Sequence, residues 1–219
     1  MPGLLSSYRF GGSGRRPLTT PTQSTPYWDA ATKHSTVTLS NFTRTAYAGN
    51  PGPAHASAKS TTTRASGRCY FEVKYDNLVS TFAANVGIMT ASEWTNTTLI
   101  GVTGGLHSFS LDMSNGRVYV NGTLSVTLGA FALNDVAAFC VDQTYGLGWI
   151  KKVGGNWNNS PSADPYEEIG GIDISTLGGA PSVITIGFAD QDDTGDWQGT
   201  LNAGHEAFAG TMPGEYVAW

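Results

Sequence analysis

The chain has 219 residues, a net charge of −5 and only 13% charged residues, about half the share of an ordinary globular domain. That length fits one domain burying roughly 70% of its unfolded surface, with a short appendage. The charge is uneven: residues 1–28 hold Arg9, Arg15 and Arg16 and no acid, which leaves −8 on the rest. An acidic body repels phosphates and no nucleic-acid-binding motif occurs, so nucleic acid is excluded as a partner. A basic arm on an acidic body instead suits docking to an acidic neighbour.

No run of about 20 apolar residues is present, so no membrane partner is expected. Met1-Pro2-Gly3-Leu4-Leu5 passes into Ser6-Ser7-Tyr8-Arg9 without the apolar core of about 7–15 residues that marks a secretory leader. Folding in a cytoplasm is the expectation.

Residues 1–27 read as an extended arm. Gly11-Gly12-Ser13-Gly14, then Pro17, Pro21 and Pro26 among Ser and Thr, break any regular helix, and Leu4-Leu5 with Tyr8 and Phe10 are too few for a core. Such an arm orders by packing on a partner, another copy of the chain or an adjacent protein. Tyr8, Arg9, Phe10, Arg15 and Arg16 are its candidate anchoring residues.

Residues 28–219 carry strand signals every 8–12 residues or so. They fall at Val37–Leu39, Thr43–Ala48, weakly at Ala56–Thr63, then at Arg68–Tyr75, Phe82–Thr90, His107–Asp112 and Gly116–Asn121. Cys69, Phe71, Val73 and Tyr75 alternate with Tyr70, Glu72 and Lys74, the pattern of a strand buried on one face. Asp135–Asp142 and Tyr145–Lys152 flank the two-residue step Gln143-Thr144, a hairpin. Asn156–Gly171 is irregular, Ile172–Leu177 forms a turn, and Ser182–Ala189 returns as a buried strand. No useful helical stretch appears, so the class is all-β, an antiparallel β-sandwich with an N-terminal arm.

Several short motifs in this order resemble the SPRY domain, in particular its bacteriophage virion-associated type. They are Tyr70-Phe71-Glu72-Val73, Val86-Gly87-Ile88, the Asp135–Lys152 hairpin with Gly154-Gly155-Asn156-Trp157-Asn158, then Asp164-Pro165, Gly170-Gly171-Ile172, Phe208-Ala209 and Pro213-Gly214-Glu215-Tyr216. The resemblance implies a concanavalin A-like jelly roll over about residues 30–219 that binds through loops at one edge. The chain departs from the phage pattern at Asn202–Phe208 and Pro213–Tyr216, where only the apolar anchors Phe208 and Tyr216 are kept.

The motifs of catalysis are missing. There is no Gly-x-Ser-x-Gly elbow, no Glu-x-Asp-x-x-Glu strand and no phosphate-binding Gly-x-x-x-x-Gly-Lys, and His34, His55, His107 and His205 lack metal-ligand spacing. No enzyme, cofactor or metal is expected; were it a glycan hydrolase, Glu72, Asp190 and Asp196 would be its carboxylates. Asp190, Asp192, Asp193 and Asp196 precede Trp197 in a run that reads either as a solvated acidic turn or as oxygen ligands for Ca²⁺. Trp94, Trp157 and Trp197 fall in expected loops, as sugar or protein anchors or as plugs folded over the core. With the acidic run they form the candidate ligand-binding set. Trp28 and Trp219 bracket the body and are expected to pack its ends. Cys69 and Cys140 read as buried free thiols, with a disulfide open to them if their strands are neighbours.

The expectation is therefore a non-enzymatic virion protein, arm-anchored to capsid, collar or tail partners, homo-oligomeric, and presenting its sandwich to a host glycan or protein. A pure cement between virion subunits is the second reading.

Overall fold

The computed structural model describes residues 25–49, 55–77, 84–101, 106–189 and 196–219. In chain order the strands are β1 (Val37–Ser40), β2 (Thr45–Gly49), β3 (Ala56–Arg64), β4 (Arg68–Asn77), β5 (Ala84–Thr90), β6 (Ser108–Asp112) and β7 (Arg117–Val120). They continue as β8 (Thr123–Thr127), β9 (Val136–Asp142), β10 (Leu147–Lys152), β11 (Ile172–Asp173), β12 (Ser182–Phe188), β13 (Asp196–Asn202) and β14 (Val217–Ala218). One sheet runs β1-β2-β13-β4-β9-β10-β11, with β14 added parallel to β4; the other runs β3-β12-β5-β6-β7-β8. All other pairings between strands are antiparallel, and the chain forms the expected sandwich.

Alternation decides which side chains meet between the sheets. Phe71 of β4 faces its register partner Phe139 of β9, and the rings stack at 4.5 Å. Phe109 of the other sheet meets Phe139 edge-on at 6.2 Å, which ties the two sheets together. Trp219 turns its edge to Phe71, and its backbone N–H donates to the Tyr70 carbonyl at 3.0 Å. Trp28 and Trp219 both enter this main core and attach along β3, the former by a bridge to Ser60 and the latter by an indole N–H to the Thr62 carbonyl.

The outer face of the larger sheet carries a second apolar layer. Tyr70, Ala138, Cys140 and Trp149 point away from the main core and are covered by Trp157 and Tyr216. Asn158 fastens this cover: its amide oxygen accepts from Ile150 N–H at 2.9 Å, and its amide nitrogen donates to the Gly148 and Gly170 carbonyls. Asn158 has φ 48°, a left-handed conformation that Asn tolerates. Gly171 lies flat on Trp149, where a Cβ would stand 2.7 Å from the ring. The outer face of the smaller sheet has its own cover, with Met89 and Val183 packed under Ile100, Trp94 and Leu106. That double cover explains why every residue of β5 and β12 is buried.

Four strands lie outside the strand signals of the sequence: β8, β11, which falls in the Ile172–Leu177 segment expected as a turn, β13 and β14. β13 begins inside the acidic run that was expected to be a loop, and β14 is too short to show periodicity. β8 follows the Asn121-Gly122 turn, whose φ values of 51° and 78° lie in the left-handed region that an Asn-Gly pair tolerates.

Candidate functional site

The sandwich does not gather the expected ligand set into one place. Trp197 lies in β13 rather than a loop, 1% exposed, with its ring 4.7 Å from Tyr75. Strand alternation sends Trp197 and Leu201 into the core, so the loop placement is corrected and Trp197 offers no ring to solvent. Trp157 is buried on the outer face of the larger sheet, with Lys151 Nζ 4.2 Å above its ring. Trp94 is half-buried on the outer face of the smaller sheet, under Lys59 Nζ at 4.7 Å. These two faces are opposite sides of the molecule. Asp196 pairs through its backbone with Gly49, whereas Asp190, Asp192 and Asp193 lie outside the described residues, as do Tyr8, Arg9, Phe10, Arg15 and Arg16.

The crossovers between sheets define the two ends of the sandwich. Gly49 and Ala56, Asn77 and Ala84, and Phe188 and Asp196 are the strand ends that flank three crossovers at one end. The opposite end holds the β3–β4 and β9–β10 turns, and there the structure assembles a cluster that the sequence did not announce.

Arg68, the first residue of β4, is its centre. Its Nε donates to Asp142 Oδ2 at 2.8 Å, its Nη1 to Glu215 Oε2 at 2.9 Å, and its Nη2 bonds Glu168. The guanidinium carbon stands 6.0 Å from the Tyr145 ring centroid. Asp142 is almost wholly buried and also accepts the backbone N–H groups of Thr144 and Tyr145, so one carboxylate both shapes the hairpin turn and holds the arginine. One arginine against three carboxylates leaves a local charge of −2, and the exposed Glu167 makes it more negative. Around it Tyr145 is 64% exposed, Tyr166 50%, Ile169 51% and Val217 45%. Such a surface offers aromatic faces and carboxylates together, the chemistry that takes cationic and proline-bearing chains. A tyrosine in a hairpin turn and Tyr166-Glu167-Glu168 in an irregular loop were its only signals in the sequence.

A cavity of about 100 Å³ opens on the outer face of the larger sheet, lined by Glu72, Lys74, Val136, Thr200 and Asn202. Glu72 is 2% exposed and already accepts three hydrogen bonds, from the Tyr70 hydroxyl at 2.6 Å, Ala209 N–H at 2.8 Å and Gly210 N–H at 2.7 Å. Burial first, then this bond to Glu72, pushes the Tyr70 hydroxyl far above the usual tyrosine range. The cluster pins the segment after residue 207 to the sheet.

Two antiparallel sheets face to face, with a covered outer layer and turns gathered at two ends, make this a β-sandwich of the SPRY fold. The SPRY domain of human HERC1 superposes with a TM-score of 0.61 at 13% identity, covering 82% of this chain and 99% of that one. The TRIM65 PSpry domain gives a TM-score of 0.57 at 15% identity, covering 81% of this chain and 92% of that one. No protein-family model and no curated sequence matches.

Proposed function

We propose that this chain is a non-enzymatic binding module of a bacteriophage particle. Its basic arm holds it to the particle, and its sandwich faces a host protein or glycan. The phage setting rests on the order of short motifs from Tyr70 to Tyr216. The observation that supports binding over catalysis is the disposition of the carboxylates. Glu72 and Asp142 are each committed to three hydrogen bonds within the fold, while exposed tyrosines surround Arg68.

Deletion of residues 1–27 tests the anchoring. Particles assembled with the truncated chain should lack it while the chain keeps its β circular dichroism; normal incorporation overturns the reading. Cryomicroscopy of particles carrying the intact protein should show Tyr145 and Tyr166 free of capsid, collar or tail subunits, or covered only by a copy of the same chain. Burial against other virion proteins would make the sandwich a cement. Glycan turnover lost on Glu72→Gln or Asp196→Asn would overturn the non-enzymatic reading.

A further inference from the structure

The body launches the arm toward the Arg68 end. Residues 27–29 run antiparallel to β3: Thr61 N–H donates to the Tyr27 carbonyl at 2.8 Å, and Asp29 N–H to the Lys59 carbonyl at 2.7 Å. Moving from residue 29 to residue 25 is therefore moving along β3 toward Arg64 and the turn that leads to Arg68. Residue 25, the first described, therefore stands toward the end of the sandwich that carries the exposed tyrosines.

Charge and composition match across that end. The departing segment holds Arg9, Arg15 and Arg16 with Pro17 and Pro21 and no acid, and the patch holds Glu167, Glu168 and Glu215 beside Tyr145 and Tyr166. The patch already displays the contact it offers, for Arg68 lies among three carboxylates with its guanidinium toward Tyr145. Tyr145 and Tyr166 retain exposed surface for another guanidinium or a proline ring.

We propose that the Arg68-centred patch is the receptor for residues 9–21 of a second copy of this chain, so that two copies join end to end by exchanging arms. The proposal rests on the arm's role as an anchor and names its first partner. At about 3.1 Å per residue, the eight steps from residue 24 to Arg16 can span at most roughly 25 Å, enough to reach a facing copy. Two copies facing by these ends each place an arm over the other's patch, a closed twofold exchange.

The test is sedimentation equilibrium of the full chain. Self-association is expected at low salt and should weaken as ionic strength rises to about 0.5 M. Arg15→Glu/Arg16→Glu and, separately, Tyr145→Ser/Glu167→Arg should each weaken it at least about tenfold in Kd. Tyr145 and Glu167 are exposed, so circular dichroism should report an unchanged fold. Mixing the two variants sets the unchanged arm of one on the unchanged patch of the other and should restore that one contact, so association should recover in part. A chain monomeric at all concentrations, a dimer indifferent to either variant, or a mixture that stays apart overturns the proposal. A chain that stays monomeric while the 1–27 deletion still loses incorporation would overturn arm exchange alone and leave the anchoring reading standing.

Discussion

Cys69 and Cys140 sit on adjacent strands and opposite faces of the same sheet. Val141 is the register partner of Cys69, and Tyr70 is that of Cys140. The one-residue offset sends Cys69 into the main core and Cys140 into the outer layer, so the neighbouring strands do not bring the thiols together. Burial raises the Cys69 thiol to about 11 against the opposing Arg64 charge, and burial raises Cys140 further. A thiol reagent at pH 8 should therefore label neither cysteine in the native protein and both after denaturation. Labelling of the folded chain, or a melting point lowered by reductant, would contradict this arrangement.

Glu72→Gln tests the pin on the C-terminal segment. It removes the charge that accepts Ala209 N–H and Gly210 N–H, and one oxygen of the set. The expected loss is about 1–3 kcal/mol in urea unfolding. Hydrogen exchange should rise first at residues 209 and 210; unchanged protection there would remove the pinning role.

Trp197→Ala separates a core residue from a ligand anchor. A tryptophan 1% exposed and packed on Tyr75 should cost about 3–5 kcal/mol when truncated. Stability within about 0.5 kcal/mol of the parent, a surface-like response, would return Trp197 to the surface.

Acid should weaken the fold through His205. Burial, then the nearby Arg44 charge, holds this imidazole below the usual histidine range. The unfolded chain then binds the proton more readily, so stability is intact above about pH 6.5 and falls as pH drops below it. His205→Phe keeps a ring beside Tyr27, 4.5 Å away, and should flatten the slope of melting temperature between about pH 5 and 6.5. Glu93 acts in a lower window. Burial raises its carboxyl, but hydrogen bonds from the His107 side chain and backbone outweigh this and lower it, so its contribution is lost only below about pH 4.3.

The fold was legible wherever a strand alternates or runs apolar between turn residues, as in β4, β5 and β12. β4 is nevertheless not buried on one face alone as expected, since Tyr70 and Glu72 of its outward set are covered. Cys69–Tyr75 announced its inward and outward sets, and Gln143-Thr144 announced a hairpin. The turn takes four residues, Gln143 to Gly146, because Asp142 pairs with Leu147 and its carboxylate binds the Thr144 and Tyr145 N–H groups. β13 was hidden because Gly199 interrupts its pattern and its first residue closes an acidic run that reads as a turn. The Arg68 cluster was hidden for another reason. Its members lie 74, 100 and 147 residues from Arg68 and meet through the pairing of β4 with β9 and β14, which no local pattern encodes. The tryptophans misled because a large ring near Gly and Asn looks like a loop anchor. Trp157 instead closes a second layer over an outer face whose apolar residues, Ala138, Cys140 and Trp149, are themselves interior.

The separation of crossovers at one end from the Arg68 turn at the other makes the sandwich a rigid spacer. β4 alone runs ten residues, about 30 Å, from Arg68 to Asn77, and it is hydrogen-bonded along both edges. A neighbour gripping one end stands a full strand length from anything held at the other. Chemistry at the crossover end is then free to diversify without disturbing contacts made at the Arg68 end.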